Sequence, residues 1–293
     1  MKLKSPHFLA PMLEPNDIAF RLLCKKAGAS LTFTGMTNPL SKKKQNLQDK
    51  PILQLFATTT KGIKQFMKKY DRKVSGWDFN LGCPSKLSRK LGHGAFLQKD
   101  LKQIQKIFRE MRSSTKKICM VKLRKSPNAI KIARLAEKEG FDRVIIHPRT
   151  IQQGYSGEPD YKFALKLKKE VSLPIIYSGN VDEKNAKKIL NDFQFIMIGR
   201  AAIGNPNIFA KLNDKKPKVN FKKYLKLAKK HKLFFRQIKY QAMNFTKGEK
   251  NAKELRRKLI GAKIIKDIER IYKIRIAPFA GARNKKNKKN SKA

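Results

Sequence analysis

The sequence predicts a (β/α)8 barrel of the α/β class, the TIM-barrel architecture, followed by a small all-helical C-terminal domain. Three observations carry this. Eight short apolar strand signals alternate with longer amphipathic, basic stretches over about 210 residues. Polar residues gather at or just after the ends of those strand signals. The alternation stops near Lys211, and from Phe221 to Ile276 the pattern is helical throughout. A doubly wound sheet is the alternative that the same alternation allows.

The strand signals run in order: Phe8–Ala10, Leu31–Thr34, Ile52–Phe56, Gly76–Asn80, Cys119–Leu123, Arg143–His147, Pro174–Tyr177 and Phe195–Ile198. Their apolar runs are short and rich in Ile, Leu, Val and Phe, as strands covered on both faces require. Between them, Asp17–Ala27, Lys61–Tyr70, Leu101–Arg112, Asn128–Glu139, Tyr161–Val171 and Glu183–Leu190 carry apolar residues at spacings of three and four, with Lys between. The stretch "NDKKPKVN" (213–220) reads as a linker. The boundaries predicted are a barrel over 1–212, a helical domain over 221–280 and a basic, disordered tail over 281–293.

Composition narrows the classes of function. The 293 residues carry 70 Lys and Arg against 21 Asp and Glu, a formal charge of +49. That charge points to a polyanionic partner, because each neutralised phosphate releases counterions. It does not say which nucleic acid. No apolar run is long enough to span a membrane, and the N-terminal apolar stretch is too short for a signal peptide. Cys24, Cys83 and Cys119 are too few and too scattered for a disulfide framework or a zinc knuckle. A reducing, cytoplasmic setting is expected, with no metal.

The stretch "FNLGCPSK" stands out. Gly82 and Pro84 break regular structure on both sides of Cys83, which places the thiol on a tight turn at a strand end. A bland buried thiol needs no such turn. In a (β/α)8 barrel the active site lies at the carboxyl ends of the strands. Gln54, Asn80, Cys83, Lys122, Arg124 and His147 all fall there. Gly179-Asn180 and Gly199-Arg200 follow the last two strands, where backbone N–H groups form a phosphate site.

These motifs together resemble the tRNA-dihydrouridine synthase family, which is flavin-dependent. "LAPMLEPNDIAFRLLCKKAGA" is similar to its opening strand and helix, and "FNLGCPSKLSRKLGHGAFL" to its catalytic loop. "VKLR", "HPRTIQQGYSGEPDY" and "IMIGRAAIGNPNIF" follow in family order. The resemblance covers about Phe8 to Leu212, and more weakly to about Leu259. It implies an FMN barrel with a helical RNA-binding domain and reduction of the C5–C6 double bond of a uridine in tRNA, with NADPH or NADH as reductant. Cys83 is implied as the acid that protonates C5. An ordinary thiol is mostly protonated at neutral pH and can donate. Pro11, Met12 and Leu13 are implied to line the flavin, Gln54 to bond its pyrimidine edge, and Lys122 to face N1 and O2. His147 is implied to touch flavin or phosphate, and Ser178, Gly179, Asn180, Gly199 and Arg200 to cradle the phosphate. Asn80, Arg124 and Tyr155 are implied to hold the uracil, with Arg149 positioning the same loop. The chain departs from the family pattern at Leu13-Glu14, Gly35, Pro148 and Ser178, and at Gln241 and Asn244 in the helical part. Two rivals remain: a flavin oxidoreductase of a free pyrimidine, and a basic RNA-binding barrel without catalysis.

Overall fold

The computed structural model describes residues 3–273. Eight parallel strands form the inner ring: β1 (His7–Leu9), β2 (Leu31–Thr32), β3 (Ile52–Leu55), β4 (Gly76–Leu81), β5 (Ile118–Arg124), β6 (Arg143–His147), β7 (Ile175–Ser178) and β8 (Phe195–Ile198). Their order is β2-β1-β8-β7-β6-β5-β4-β3, so the first and last strands of the chain are neighbours. Closure between β2 and β3 comes from isolated parallel bridges at Phe33–Ile52 and Thr37–Leu55. The predicted second strand therefore ends early. Its physical reason is a side chain: Thr34 Oγ1 accepts the Gln54 N–H at 3.1 Å, a donor that a regular ladder would give to a carbonyl.

The covering helices are α1 (Ile18–Ala27), α2 (Ile63–Tyr70), α3 (Lys86–Leu91), α4 (Leu101–Ser113), α5 (Ala129–Lys138), α6 (Tyr161–Lys169), α7 (Ala186–Asp192) and the short α8 (Ile208–Lys211). Asp17, Asp100 and Asp160 cap α1, α4 and α6 by accepting the N–H three residues on. Strand side chains alternate with period two. Outward residues such as Trp77, Phe79, Val121 and Ile146 pack under the helices. Inward residues Phe8, Phe33, Ile52, Met120, Ile145 and Met197 belong to a separate apolar cluster that fills the barrel. Above that plug the inward positions turn polar, with Gln54, Asp78, Asn80, Arg124, His147 and Ser178 all buried. Such groups are tolerated only with partners, and this layer is the floor of the site.

The helical part comprises α9 (Phe221–Lys230), α10 (Phe235–Phe245), α11 (Ala252–Gly261) and α12 (Ile265–Ile271). Phe221, Tyr224, Phe245 and Tyr272 form its aromatic centre, with Phe221 and Tyr272 ring centroids 4.2 Å apart. It is docked on the barrel. Gln241 Nε2 donates to Asp17 Oδ2 at 3.0 Å, tying α10 to the cap of α1. The stretch read as a linker is strapped down. Asn207 accepts the N–H groups of Lys218 and Val219 at 3.1 Å and donates to Val219 O at 2.8 Å. The tail predicted at 281–293, and the last helical residues up to 280, lie outside the described residues. No helix among the described residues is long and apolar enough to cross a membrane.

Candidate active site

A cavity of about 960 Å³ opens at the carboxyl ends of the strands, and Cys83 and every residue expected to hold cofactor or uracil line it. Arg149, singled out for the loop alone, sits just behind its wall.

The Cys83 turn is built from β4. Asn80 Oδ1 accepts the N–H of Gly82 at 3.1 Å and of Cys83 at 2.9 Å, folding the chain sharply after the strand. Ser85 then caps α3, accepting Ser88 N–H at 3.1 Å. Cys83 Sγ lies 3.5 Å from Ser85 Oγ. The segment after α3 closes over the turn: Ala95 N–H donates to Cys83 O at 3.1 Å. Gly94 has φ +64, and a Cβ there would stand 2.8 Å from Cys83 O. Cys83 is half-buried, whereas Cys24 and Cys119 are fully buried. Burial pushes the Cys119 thiol up to about 12.

Below the turn the polar layer is internally bonded. Asn80 Nδ2 donates to Gln54 Oε1 at 2.8 Å, and Gln54 Nε2 donates to Asp78 Oδ2 at 2.6 Å. Asp78 is fully buried, and its Oδ1 has no partner among the described residues. Burial pushes its carboxyl up to about 7, while the Gln54 bond and the Lys122 charge pull it back. Lys122, two register positions up on β5, points the same way. Burial and then Arg124 lower its ammonium to about 8, against the pull of Asp78 and Cys83.

Arg124 is 1% exposed and acts as a staple. Its Nε donates to Gly82 O at 2.8 Å, and its NH1 to Thr150 O at 3.0 Å and Gly154 O at 2.7 Å. It thereby joins the Cys83 turn to the loop carrying Tyr155. Arg149 holds the far side of that loop, donating to Ser156 O and Gly157 O. Its NH1 also reaches His147 Nε2 at 3.1 Å. A guanidinium only donates, so Nε2 accepts and the imidazole proton sits on Nδ1. Burial and four nearby cations, led by Lys122, push His147 down to about 2 and keep it neutral. Tyr155 is exposed, with the Arg124 and Arg200 guanidinium carbons 5.4 and 5.3 Å from its ring centroid. Arg200 NH2 donates to Asn180 Oδ1 at 2.5 Å, and Asn180 Nδ2 donates to Glu158 at 3.2 Å.

Two groups of this region stand outside the site residues read from sequence. Asp78 had a usable signal, since period two from Asn80 puts it inside the barrel. Lys247 belongs to a Lys247-Gly248 pair that resembles the family's, which signals membership but not position. It lines the cavity from beyond α10, brought there by a backbone contact. Gly204 has φ +73, and a Cβ on it would lie 2.1 Å from Asn244 O. Only glycine allows the loop after β8 to meet the end of α10 this closely.

The arrangement offers a half-exposed thiol and a half-buried ammonium that makes no hydrogen bond among the described residues, over a floor whose amides are fixed. Arg200 and the glycines after β7 and β8 line the same cavity. The volume and the cations suit an anionic ligand of cofactor size.

A family model described as Dihydrouridine synthase (Dus) matches residues 8–292. A probable tRNA-dihydrouridine synthase of Helicobacter pylori is 32% identical over 235 residues, 72% of this chain and 71% of the relative. A tRNA-dihydrouridine synthase B of Pasteurella multocida is 32% identical over 232 residues, 71% and 69% of the two chains. Among solved structures, DHODH in complex with ferulenol from Eimeria tenella superposes with a TM-score of 0.54 at 16% identity, over 72% and 80% of the two chains. That likeness is one of barrel fold. The chain belongs to the dihydrouridine synthase family.

Proposed function

We propose that the chain is a tRNA-dihydrouridine synthase, an oxidoreductase that saturates the C5–C6 bond of a uridine in tRNA. The observation that carries this, beside the family match, is the half-exposed thiol of Cys83 lining the same cavity as the ammonium of Lys122, which makes no hydrogen bond among the described residues. FMN, held by the residues named below, would supply hydride chemistry at C6, with NADPH or NADH as its reductant.

The protein's own groups do the rest. Cys83 donates the proton to C5 from a turn fixed by Asn80 and Gly94. Lys122 would stabilise negative charge on a bound isoalloxazine, with Gln54 and Pro11–Leu13 lining the same cavity. Ser178, Gly179, Asn180, Gly199 and Arg200 hold the phosphate end, with neutral His147 beside them. Asn80 and Arg124 serve the uracil with what their internal bonds leave over. Asn80 keeps one Nδ2 hydrogen, and Arg124 keeps its NH2. Tyr155, backed by two guanidinium groups, is the exposed surface on which the extruded base stacks. Residues 1–212 form the catalytic unit, and 221–280 with the basic tail grip the tRNA by charge, in the cytoplasm.

The test is to purify the protein, record its visible spectrum, and incubate it with NADPH and unmodified tRNA while mapping dihydrouridine by position. A yellow protein that modifies a defined site, and a nearly inert Cys83→Ala, is the expected result. A yellow protein inert on tRNA but active on free uracil or orotate would replace this reading with the small-pyrimidine one.

A further inference from the structure

We propose that Asp78 is a positioning residue: its buried carboxylate anchors a hydrogen-bond relay that fixes the direction of the Gln54 and Asn80 amides and, through them, the Cys83 turn. The relay crosses between two strands. Asp78 and Asn80 lie two apart on β4 and share a face, while Gln54 is the register partner of Asp78 on β3. Gln54 bridges them, donating to Asp78 Oδ2 at 2.6 Å and accepting from Asn80 Nδ2 at 2.8 Å.

The polarity of every link is determined from both ends. The N–H groups of Gly82 and Cys83 can only donate, so Asn80 turns its oxygen to them. Its NH2 therefore faces Gln54, which answers with Oε1, so the Gln54 NH2 faces Asp78. A primary amide is nearly the same shape when flipped, so packing alone does not choose its direction. Only a terminal group that cannot donate through the facing oxygen closes the chain of choices. Asp78 Oδ2 is that group. Its Oδ1 has no partner among the described residues, so a proton carried there leaves Oδ2 free to accept, and the relay holds in either ionisation state. With an apolar side chain at 78, the Gln54 amide loses its buried acceptor, and only the bond from Asn80 Nδ2 still sets its direction. A flip of that amide would set two donors face to face at Asn80 and release the turn that carries the thiol.

The proposal rests on the reading above only for the role of Cys83 in turnover. Asp78→Leu and Asp78→Asn are compared in the full-length protein as purified. Three readouts are taken: flavin content, kcat and KM for tRNA, and the rate at which iodoacetamide alkylates Cys83, followed by mass spectrometry. Asn keeps an oxygen that accepts from Gln54 and removes the charge. The leucine variant is expected to lose about tenfold or more in kcat, with the tRNA KM changed less than about threefold, and to alkylate at a clearly altered rate. The asparagine variant is expected to stay within about threefold of wild type in all three. Should the leucine variant fail to fold, Gln54→Met removes the middle link and carries the same expectation. A leucine variant with wild-type kcat and alkylation rate overturns the relay. So does an asparagine variant as impaired as the leucine one, because the charge would then be what matters. If wild-type protein makes no dihydrouridine, the functional reading fails, and the alkylation rates still decide the relay.

Discussion

Gly92 and Gly94 provide a matched pair of perturbations around the thiol. Both have positive φ, +69 and +64. An alanine at Gly92 would meet nothing within 4 Å, whereas one at Gly94 would place its Cβ 2.8 Å from Cys83 O and 3.1 Å from Cys83 Cβ. Gly92→Ala therefore carries only the left-handed backbone cost, about 1 kcal/mol, or roughly 2–4 °C in melting temperature. Gly94→Ala carries the same cost plus a contact with backbone that has to move by several tenths of an ångström. Displacements approaching 1 Å at a reacting group cost about 100-fold in rate. We expect Gly92→Ala to keep turnover on tRNA within about threefold. We expect Gly94→Ala to lose 10- to 100-fold in kcat, by the same displacement argument, with NADPH-driven flavin reduction largely retained. Melting curves and the two half-reactions, measured separately, are the assays. Equal turnover losses in the two variants would refute the idea that the 92–95 segment sets the position of Cys83.

Three further outcomes follow from the geometry. In the native protein a thiol reagent labels Cys83 alone, because Cys24 and Cys119 are fully buried; peptide mapping after a short pulse checks this. Asp78 binds its proton more tightly when folded, about 7 against an ordinary 3.8, so stability of the flavin-free protein falls as pH rises from about 4 to 7. Asp78→Asn flattens that slope, which melting curves at stepped pH measure. Lys247→Ala raises the tRNA KM several-fold and steepens neither flavin loss nor melting; a drop in flavin content instead would assign Lys247 to the cofactor phosphate.

Strand positions were legible because the apolar runs are short and bounded by Gly, Pro or charged residues. Arg143–His147 and Phe195–Ile198 are found where the pattern puts them. The early end of β2 was not legible, since it turns on Thr34 Oγ1 taking a backbone hydrogen from Gln54. Site residues were legible where strand ends concentrate polar side chains. What each is bonded to was not. Arg124 reads as a group free for substrate, yet three of its hydrogen bonds go to carbonyls 26 to 42 residues away in the chain. Lys247 depends on the meeting of Gly204 and Asn244, a contact that no local pattern encodes.

The Asp17–Gln241 bond and the Gly204–Asn244 contact have a metric consequence. The basic helices and the thiol are held at a set separation, like the jaws of a caliper. Under the reading above, the nucleotide that reaches Cys83 is chosen by its distance along the folded RNA from the surface the helices grasp. Lengthening or loosening either joint would shift or blur the modified position before it abolished the chemistry.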